Sequence, residues 1–141
     1  REKYINIQTK NRPKSISIYT KPYPGFPTDI QPQICLLNSI SSGMATIYEN
    51  IFNNRFKHIY ELNKMGAIFY FMNKKQIISN GVEKLYGANL IATDLRSAAT
   101  LVLAGCIAEG KTIIDNINYL YRGYENFDIK LNLLGANIKK I

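Results

Sequence analysis

One stretch of the chain, from position 93 to position 110, would have apolar side chains on nearly all of its sides if it formed a helix. Thr93 and Asp94 form a capping pair at its start, and Gly110 is the residue type that commonly ends a helix. A helix that is apolar on every side lies in a core or in a membrane, and this one is too short to cross a bilayer. The pattern therefore predicts an internal helix of a globular core.

The same pattern occurs about 65 residues earlier, from Thr28 and Asp29 to Gly43. Each stretch is followed by a β-rich run, a basic residue that opens a second helix, and a hydrophobe-Gly-Ala ending. An internal repeat sets the architecture, so we predict two units, about 15–80 and about 84–141. The paired landmarks are residues 46–51 and 112–117, Arg55 and Arg122, and residues 65–67 and 134–136.

Other periodicities predict strands and an outer layer of helices. Alternation at period two indicates half-buried strands, whereas a stripe at helical spacing indicates a half-exposed helix. The predicted strands are 15–20, 46–51, 67–72, 76–79, 85–93, 112–117 and 136–141, and the amphipathic helices are 55–65 and 123–134. The residues predicted to be buried in the two apolar helices include Ile34, Leu37, Leu101, Val102 and Leu103.

Charge leaves one question open. The formal net charge is +8 and the pI is about 9.5, which suits nucleic acid, phosphorylated metabolites or acidic lipid. The lysines are scattered, except for two adjacent pairs, and no aromatic–basic RNA-binding motif is present. We favour a solvated basic surface without a nucleic-acid or membrane partner, and a functional field is the alternative.

The remaining residue types exclude several kinds of chemistry. Cys35 and Cys106 fall in the apolar helix faces, which predicts buried thiols of an intracellular protein rather than a disulfide. His58 is the only histidine, and we assign it no chemistry because single histidines on amphipathic helices are mostly structural. No metal spacing, phosphate-binding glycine loop or nucleophile elbow is present, so no cofactor is expected. The chain shows no signal peptide and begins at Arg1 rather than methionine, as a piece of a longer protein would.

Several long strings of residues, in order, resemble one family. They are 22–33 (PYPGFPTDIQPQ), 49–58 (ENIFNNRFKH), 61–67 (ELNKMGA), 93–105 (TDLRSAATLVLAG) and 122–125 (RGYE). From about position 15 to position 141 the chain resembles the UDP-N-acetylglucosamine 1-carboxyvinyltransferases, which are enolpyruvyl transferases. The sister family, 3-phosphoshikimate 1-carboxyvinyltransferase, shares the repeat plan but not these strings.

The resemblance implies a fold and a division of the protein. The fold is an inside-out α/β barrel, and this chain would supply two β-α-β-α-β-β units around buried helices. Residues 1–141 would then be the C-terminal part of one domain, with the N-terminal domain missing. The family's phosphoenolpyruvate-binding lysine and reactive loop cysteine belong to that missing part, and neither Cys35 nor Cys106 matches the cysteine.

The resemblance also implies a reaction. The 3′-hydroxyl of UDP-N-acetylglucosamine adds to carbon 2 of phosphoenolpyruvate and phosphate is eliminated, the first committed step of peptidoglycan synthesis in the cytoplasm. This chemistry needs a base near the hydroxyl and cations around the carboxylate and phosphate. By resemblance, Asp29 contacts the sugar and acts as the base, and Arg122 binds phosphoenolpyruvate. The alternatives are an N-cap for Asp29, worth about 1 kcal/mol, and a surface arginine at a helix start for Arg122. A cation at a helix start is unfavourable next to the helix dipole, which favours a functional role for Arg122.

Three more residues have a role by resemblance or by symmetry. Asp94 matches a position in the active-site cleft, and an N-cap explains it equally well. Ile51 matches a nucleotide contact made through its backbone, and it is also an ordinary strand hydrophobe. Arg55 stands at the repeat equivalent of Arg122, so we expect it to bind substrate and to take part in charge pairing across the cleft.

Four functions stay open from the sequence. The leading one is a part of an enolpyruvyl transferase that is inactive by itself, since half of the site is missing. The others are a non-catalytic remnant that folds or binds, the sister 3-phosphoshikimate enzyme, and a basic nucleic-acid-binding module. The last predicts binding that weakens steeply with salt.

Overall fold

Two runs of elements follow one another in residues 6–141, the part of the chain that the computed structural model describes, and the second run repeats the order of the first four helices and strands of the first. The first run contains β1 (Ile18–Tyr19), α1 (Gln31–Ile40), β2 (Met44–Tyr48), α2 (Lys57–Lys64), β3 (Ile68–Asn73) and β4 (Gln76–Asn80). The second contains β5 (Asn89–Ile91), α3 (Leu95–Ile107), β6 (Ile113–Asp115) and α4 (Phe127–Leu133). Short 3-10 turns, Thr28–Ile30 and Ile117–Arg122, precede α1 and follow β6.

The strands form two sheets of different size. The first has the order β1-β2-β4-β3, in which β1 pairs with β2 in parallel and the other pairs are antiparallel. The second consists only of β5 and β6, which are parallel. In both runs a buried helix makes the crossover between the two parallel strands, as this connection requires.

Helix α3 lies at the centre because it belongs to two hydrophobic clusters. Leu101 and Ala104 pack in the larger cluster, with side chains of α1, α2 and the four-stranded sheet. Ala98 and Val102 pack in the smaller cluster, with Leu120 of the second 3-10 turn. A helix between two clusters needs apolar residues on nearly all sides, so the predicted internal helix is confirmed.

Burial differs from the prediction at particular positions. Leu101 and Val102 are buried, but Ile34 and Leu103 are only half-buried and Leu37 is 38% exposed. These side chains project from sides of α1 and α3 that the described elements leave partly open. Cys35 is buried, as predicted. Cys106, which lies near the end of α3, is exposed, so the prediction that it is buried is wrong.

The ends of elements were predicted less well than their existence. Helix α3 has Asp94 as its N-cap, as predicted, but it ends at the C-cap Ala108, so Gly110 is not the capping glycine. Gly110 instead lies beyond the helix, with a φ of 92°. Residues 15–20 hold only the two-residue strand β1, and residues 123–134 hold the seven-residue helix α4.

The strand predicted for residues 136–141 is wrong, because no strand is present there. The side chain of Asn132 bonds both the amide and the carbonyl of Ile138, which satisfies these backbone groups without a sheet. Leu133 and Leu134, which precede this tail, are 83% and 84% exposed. None of the helices within residues 6–141 combines the length and the apolar character that a membrane span needs.

Candidate active site

Asp29 lies in the 3-10 turn before α1 and does not cap that helix. The N-cap of α1 is Ile30, which makes no side-chain capping bond, and Pro27 at the start of the turn makes none either. The Asp29 carboxylate is 56% exposed and accepts hydrogen bonds at Oδ1 from Arg55 Nη2, at 2.9 Å, and from Arg96 Nε. The alternative of a plain N-cap is therefore wrong.

The two arginines favour the charged form of Asp29. The hydrogen bond from Arg96 is the largest cause that lowers the pKa of this carboxyl, the charges of Arg96 and Arg55 lower it further, and partial burial opposes them. Asp29 is thus ready to accept a proton at neutral pH, but it is a weak base while both arginines hold it. Its basicity rises if either guanidinium turns to another anion.

Arg96 was missed by the sequence reasoning. It stands 67 positions from Asp29 along the chain, in the first turn of α3, where a cation is unfavourable next to the helix dipole. Its carboxylate partner offsets this cost and raises the pKa of the guanidinium. The signal available in the sequence was this arginine, two positions after a capping aspartate.

Arg55 lies two residues before α2 and reaches the same carboxylate. Its side chain is only 19% exposed, and its guanidinium lies 4.7 Å from the centre of the Phe52 ring. Stacking on an aromatic ring and pairing with a carboxylate both restrict the orientation of a guanidinium. Asp29, Arg55 and Arg96 therefore form one cluster, which we call the carboxylate–arginine cluster.

Asp94 is the N-cap of α3. Its Oδ1 accepts hydrogen bonds from the amides of Arg96, at 3.0 Å, and Ser97, at 2.9 Å. The hydroxyl of Thr93 contacts its other oxygen at 3.2 Å. The cap fixes the first turn of α3, from which Arg96 reaches Asp29. Asp94 therefore helps to position Arg96 in the carboxylate–arginine cluster.

Arg122 and Ile51 lie outside this cluster. Arg122 ends the second 3-10 turn rather than opening a helix, so the argument from an unfavourable dipole is wrong. It is exposed, its guanidinium lies 5.5 Å from the Tyr119 ring, and no described acidic side chain pairs with it. Ile51 is half-buried, and its amide donates to Glu49 at 2.9 Å.

Two concave surfaces lie in the second run of elements. A recess of about 270 Å³ is lined by Arg122, Tyr119 and the side chains of Asn116 and Asn118. A larger cleft, about 730 Å³, lies between α3, β6 and the tail, and it does not include the carboxylate–arginine cluster. Within residues 6–141, no three His, Cys, Asp or Glu side chains are grouped to hold a metal ion.

His58 is enclosed beneath the cluster, on α2. Burial is the main cause that lowers the pKa of His58 to about 4, and the Arg55 charge lowers it further, against Asp94, which raises it. Its Nε2 is buried without a hydrogen-bond partner among the described residues. The imidazole is therefore neutral at neutral pH.

The chain is similar to known enolpyruvyl transferases. The family model of EPSP synthase (3-phosphoshikimate 1-carboxyvinyltransferase) matches residues 1–131. UDP-N-acetylglucosamine 1-carboxyvinyltransferase from Buchnera aphidicola subsp. Schizaphis graminum is 60% identical over 130 residues, which are 92% of this chain and 31% of the relative. The enzyme of that name from Baumannia cicadellinicola is 56% identical over 137 residues, 97% of this chain and 32% of the relative.

A solved structure has the same fold. The enolpyruvyl transferase NikO from Streptomyces tendae superposes with a TM-score of 0.82 at 30% sequence identity, over 91% of this chain and 30% of that protein. The chain thus spans about a third of the length of the relatives it matches.

Proposed function

We propose that this chain, which belongs to the EPSP synthase (3-phosphoshikimate 1-carboxyvinyltransferase) family, forms part of an enolpyruvyl transferase that acts on UDP-N-acetylglucosamine. The names of relatives at 52–60% identity support this substrate over 3-phosphoshikimate. The observation that carries the proposal is the carboxylate–arginine cluster, in which an exposed aspartate is paired with two arginines and caps no helix.

The cluster suits proton transfer next to a bound anion. Asp29 accepts the proton of the sugar 3′-hydroxyl while the oxygen bonds to carbon 2 of phosphoenolpyruvate, and carbon 3 takes up a proton from an acid that the complete enzyme supplies. The carbon 2–phosphate bond then breaks, carbon 3 loses a proton, and the enol ether remains. An arginine that turns from Asp29 to the carboxylate or phosphate stabilises that anion and makes Asp29 a stronger base.

The other candidate residues have supporting parts in this proposal. Arg122 is exposed and free of a described acidic partner, so its guanidinium is available to bind phosphoenolpyruvate. Ile51 contacts the nucleotide through its carbonyl, because Glu49 already occupies its amide. Asp94 holds the start of α3 and hence the position of Arg96.

The complete enzyme includes an N-terminal domain that carries the lysine and the reactive cysteine. It works in the cytoplasm, in peptidoglycan synthesis, and through the cell wall it affects cell shape and division. A non-catalytic remnant is the alternative. The chain alone lacks half of the site, so in either case it performs no transfer by itself.

Phosphate release from phosphoenolpyruvate tests the proposal. The intact protein is expected to release phosphate with UDP-N-acetylglucosamine and not with shikimate 3-phosphate, and the isolated chain with neither. Asp29→Ala should lower turnover by about a hundredfold or more, the usual scale for loss of a general base. Arg122→Ala should lower turnover and also weaken the binding of phosphoenolpyruvate. An intact protein that released phosphate only with shikimate 3-phosphate, or with neither acceptor, would refute this assignment.

A further inference from the structure

Glu49 is a fully buried carboxylate directly after β2, and four donors surround it. Its Oε1 accepts from the Thr20 hydroxyl at 3.0 Å and from the amides of Ile51 and Phe52 at 2.9 and 3.1 Å. Its Oε2 accepts from the Thr28 hydroxyl at 2.8 Å. Burying a carboxylate is expensive unless its oxygens are well bonded, so these four donors explain how Glu49 is tolerated in the interior.

The donors come from two different segments of the site. Thr28 is the neighbour of Asp29, whereas Phe52 supports the guanidinium of Arg55 with its ring. One carboxylate thus links the segment that carries the aspartate of the cluster with the segment that carries an arginine. The amide of Glu49 itself donates to the carbonyl of Lys75 at 2.8 Å, which fixes this link to the turn between β3 and β4.

The segment before Asp29 depends on this link. Residues 21–27 contain no helix or strand, and two backbone bonds, from Lys21 to Phe26 and from Gly25 to Pro22, close the loop on itself. The Thr28 hydroxyl joins the end of this loop to Glu49. A loop with few bonds to its surroundings moves easily, so the position of Asp29 is sensitive to the loss of this hydroxyl.

We propose that Glu49 is a positioning residue of the transfer reaction, which sets Asp29 against Arg55 and the bound sugar through the Thr28 hydroxyl. It touches no substrate and acts through its neighbours. Only the effect on the rate of transfer rests on the proposed function. The placement of Asp29 by Glu49 is a property of the protein whether or not it is an enzyme.

Thr28→Val tests the link in the intact protein, because valine keeps the shape of threonine and lacks the hydroxyl. We expect kcat to fall by about tenfold to a hundredfold, since small misplacements of a reacting group have effects of this size. The KM for UDP-N-acetylglucosamine should stay nearly unchanged, because Glu49 still holds the amides of Ile51 and Phe52. Thr28→Ser, which restores a hydroxyl, should restore most of kcat.

Ser79→Ala is the matched control. Ser79 is buried and donates one hydroxyl hydrogen bond, to the carbonyl of Ala45 within the same sheet. Its loss lowers stability in a similar way but leaves the link intact, so kcat should not change. If Ser79→Ala lowered kcat as much as Thr28→Val does, the effect would be one of general stability and the proposal would be overturned.

A second readout needs no catalysis. The pKa of Asp29, followed by carbon NMR of labelled carboxyl groups and assigned with Asp29→Asn, should rise toward its ordinary value in Thr28→Val, because the carboxylate moves away from its arginines. In Ser79→Ala and Thr28→Ser it should stay low. An unchanged Asp29 pKa in Thr28→Val would overturn the proposal. A wild-type protein without transfer activity would refute the proposed function while this titration still decided the role of Glu49.

Discussion

Asp29 and Asp94 occupy the same place in the two runs of elements but do different work. Each follows a threonine and precedes a buried helix. Asp94 accepts hydrogen bonds from the amides two and three positions ahead, on Arg96 and Ser97. Three positions after Asp29 stands Pro32, which has no amide hydrogen to give. A cap at Asp29 would therefore have one amide donor fewer. The chain instead enters α1 through a 3-10 turn, and the Asp29 carboxylate bonds the two arginines.

The arginines of the two runs differ in the same sense. Arg55 is mostly enclosed, stacked on Phe52 and paired with Asp29, whereas Arg122 is exposed and none of the described acidic side chains pairs with it. Arg55 in the first run is thus already held against Asp29, whereas the guanidinium of Arg122 in the second run is exposed and free to bind an anion. Equivalent positions in a repeat therefore indicate the same order of elements, but neither the same local backbone nor the same chemistry.

Asparagine at the two aspartates should separate these roles most strongly. In the intact protein, Asp29→Asn is expected to lower kcat by about a hundredfold or more, because an amide cannot take up the proton. Asp94→Asn should change kcat by no more than a few-fold, since asparagine accepts the same two amide hydrogen bonds. Steady-state phosphate release measures both. Normal turnover in Asp29→Asn would reject the base assignment.

Acid should weaken the protein through His58, which lies beneath the cluster. The folded pKa of about 4 lies below the ordinary value of 6.5, so the unfolded chain binds the proton first as the pH falls. The stability that the neutral imidazole provides is complete above about pH 6.5 and is lost down to about pH 4, by about 3 kcal/mol. Urea unfolding at several pH values measures the loss.

His58→Gln serves as the control for this loss. The variant should lack the histidine part of the pH dependence between 6.5 and 4, because glutamine does not titrate. Carboxylates titrate in the lower half of the same window, so the difference between wild type and variant carries the result. Parallel curves for the two proteins would contradict the assignment of this pH dependence to His58.

Alanine at the two aspartates should show the smallest effects, and in the opposite order to their effects on rate. Asp94→Ala is expected to lower the free energy of unfolding by about 1 kcal/mol, the usual value of a cap. Asp29→Ala should change it by no more than about 0.5 kcal/mol, because exposed ion pairs contribute little. Denaturant titration of both variants measures the difference. A larger loss for Asp29→Ala would mean that its ion pairs stabilise the fold.

Local patterns predicted what local forces decide. The cap at Asp94, the buried faces of α3 and the strands β3 and β4 follow from residue type and spacing over a few positions. The pairing of Arg96 with Asp29 joins residues 67 positions apart and depends on how α1 and α3 pack. The boundaries of the two units and the roles of Asp29, Ile51 and Arg122 remain predictions.

Other errors came from treating each element by itself. Cys106 lies on an apolar pattern but near the end of α3, where neighbouring elements no longer cover it. The tail at 136–141 has strand-like residues, yet the backbone of Ile138 bonds the side chain of Asn132 instead of a neighbouring strand. Both predictions were wrong because they considered only the pattern of the residues themselves and not the neighbours that cover them or bond their backbone.

The two-stranded sheet has a consequence for handling the protein. Strand β6 pairs only with β5, so its other edge carries backbone groups without a strand partner among the described residues. The exposed Leu133 and Leu134 lie in the same run of elements. Open strand edges are templates for association between chains, and exposed apolar side chains add to this tendency. A preparation of the 141-residue chain should therefore form aggregates that grow with protein concentration. Lysine substitutions along β6 should suppress these aggregates.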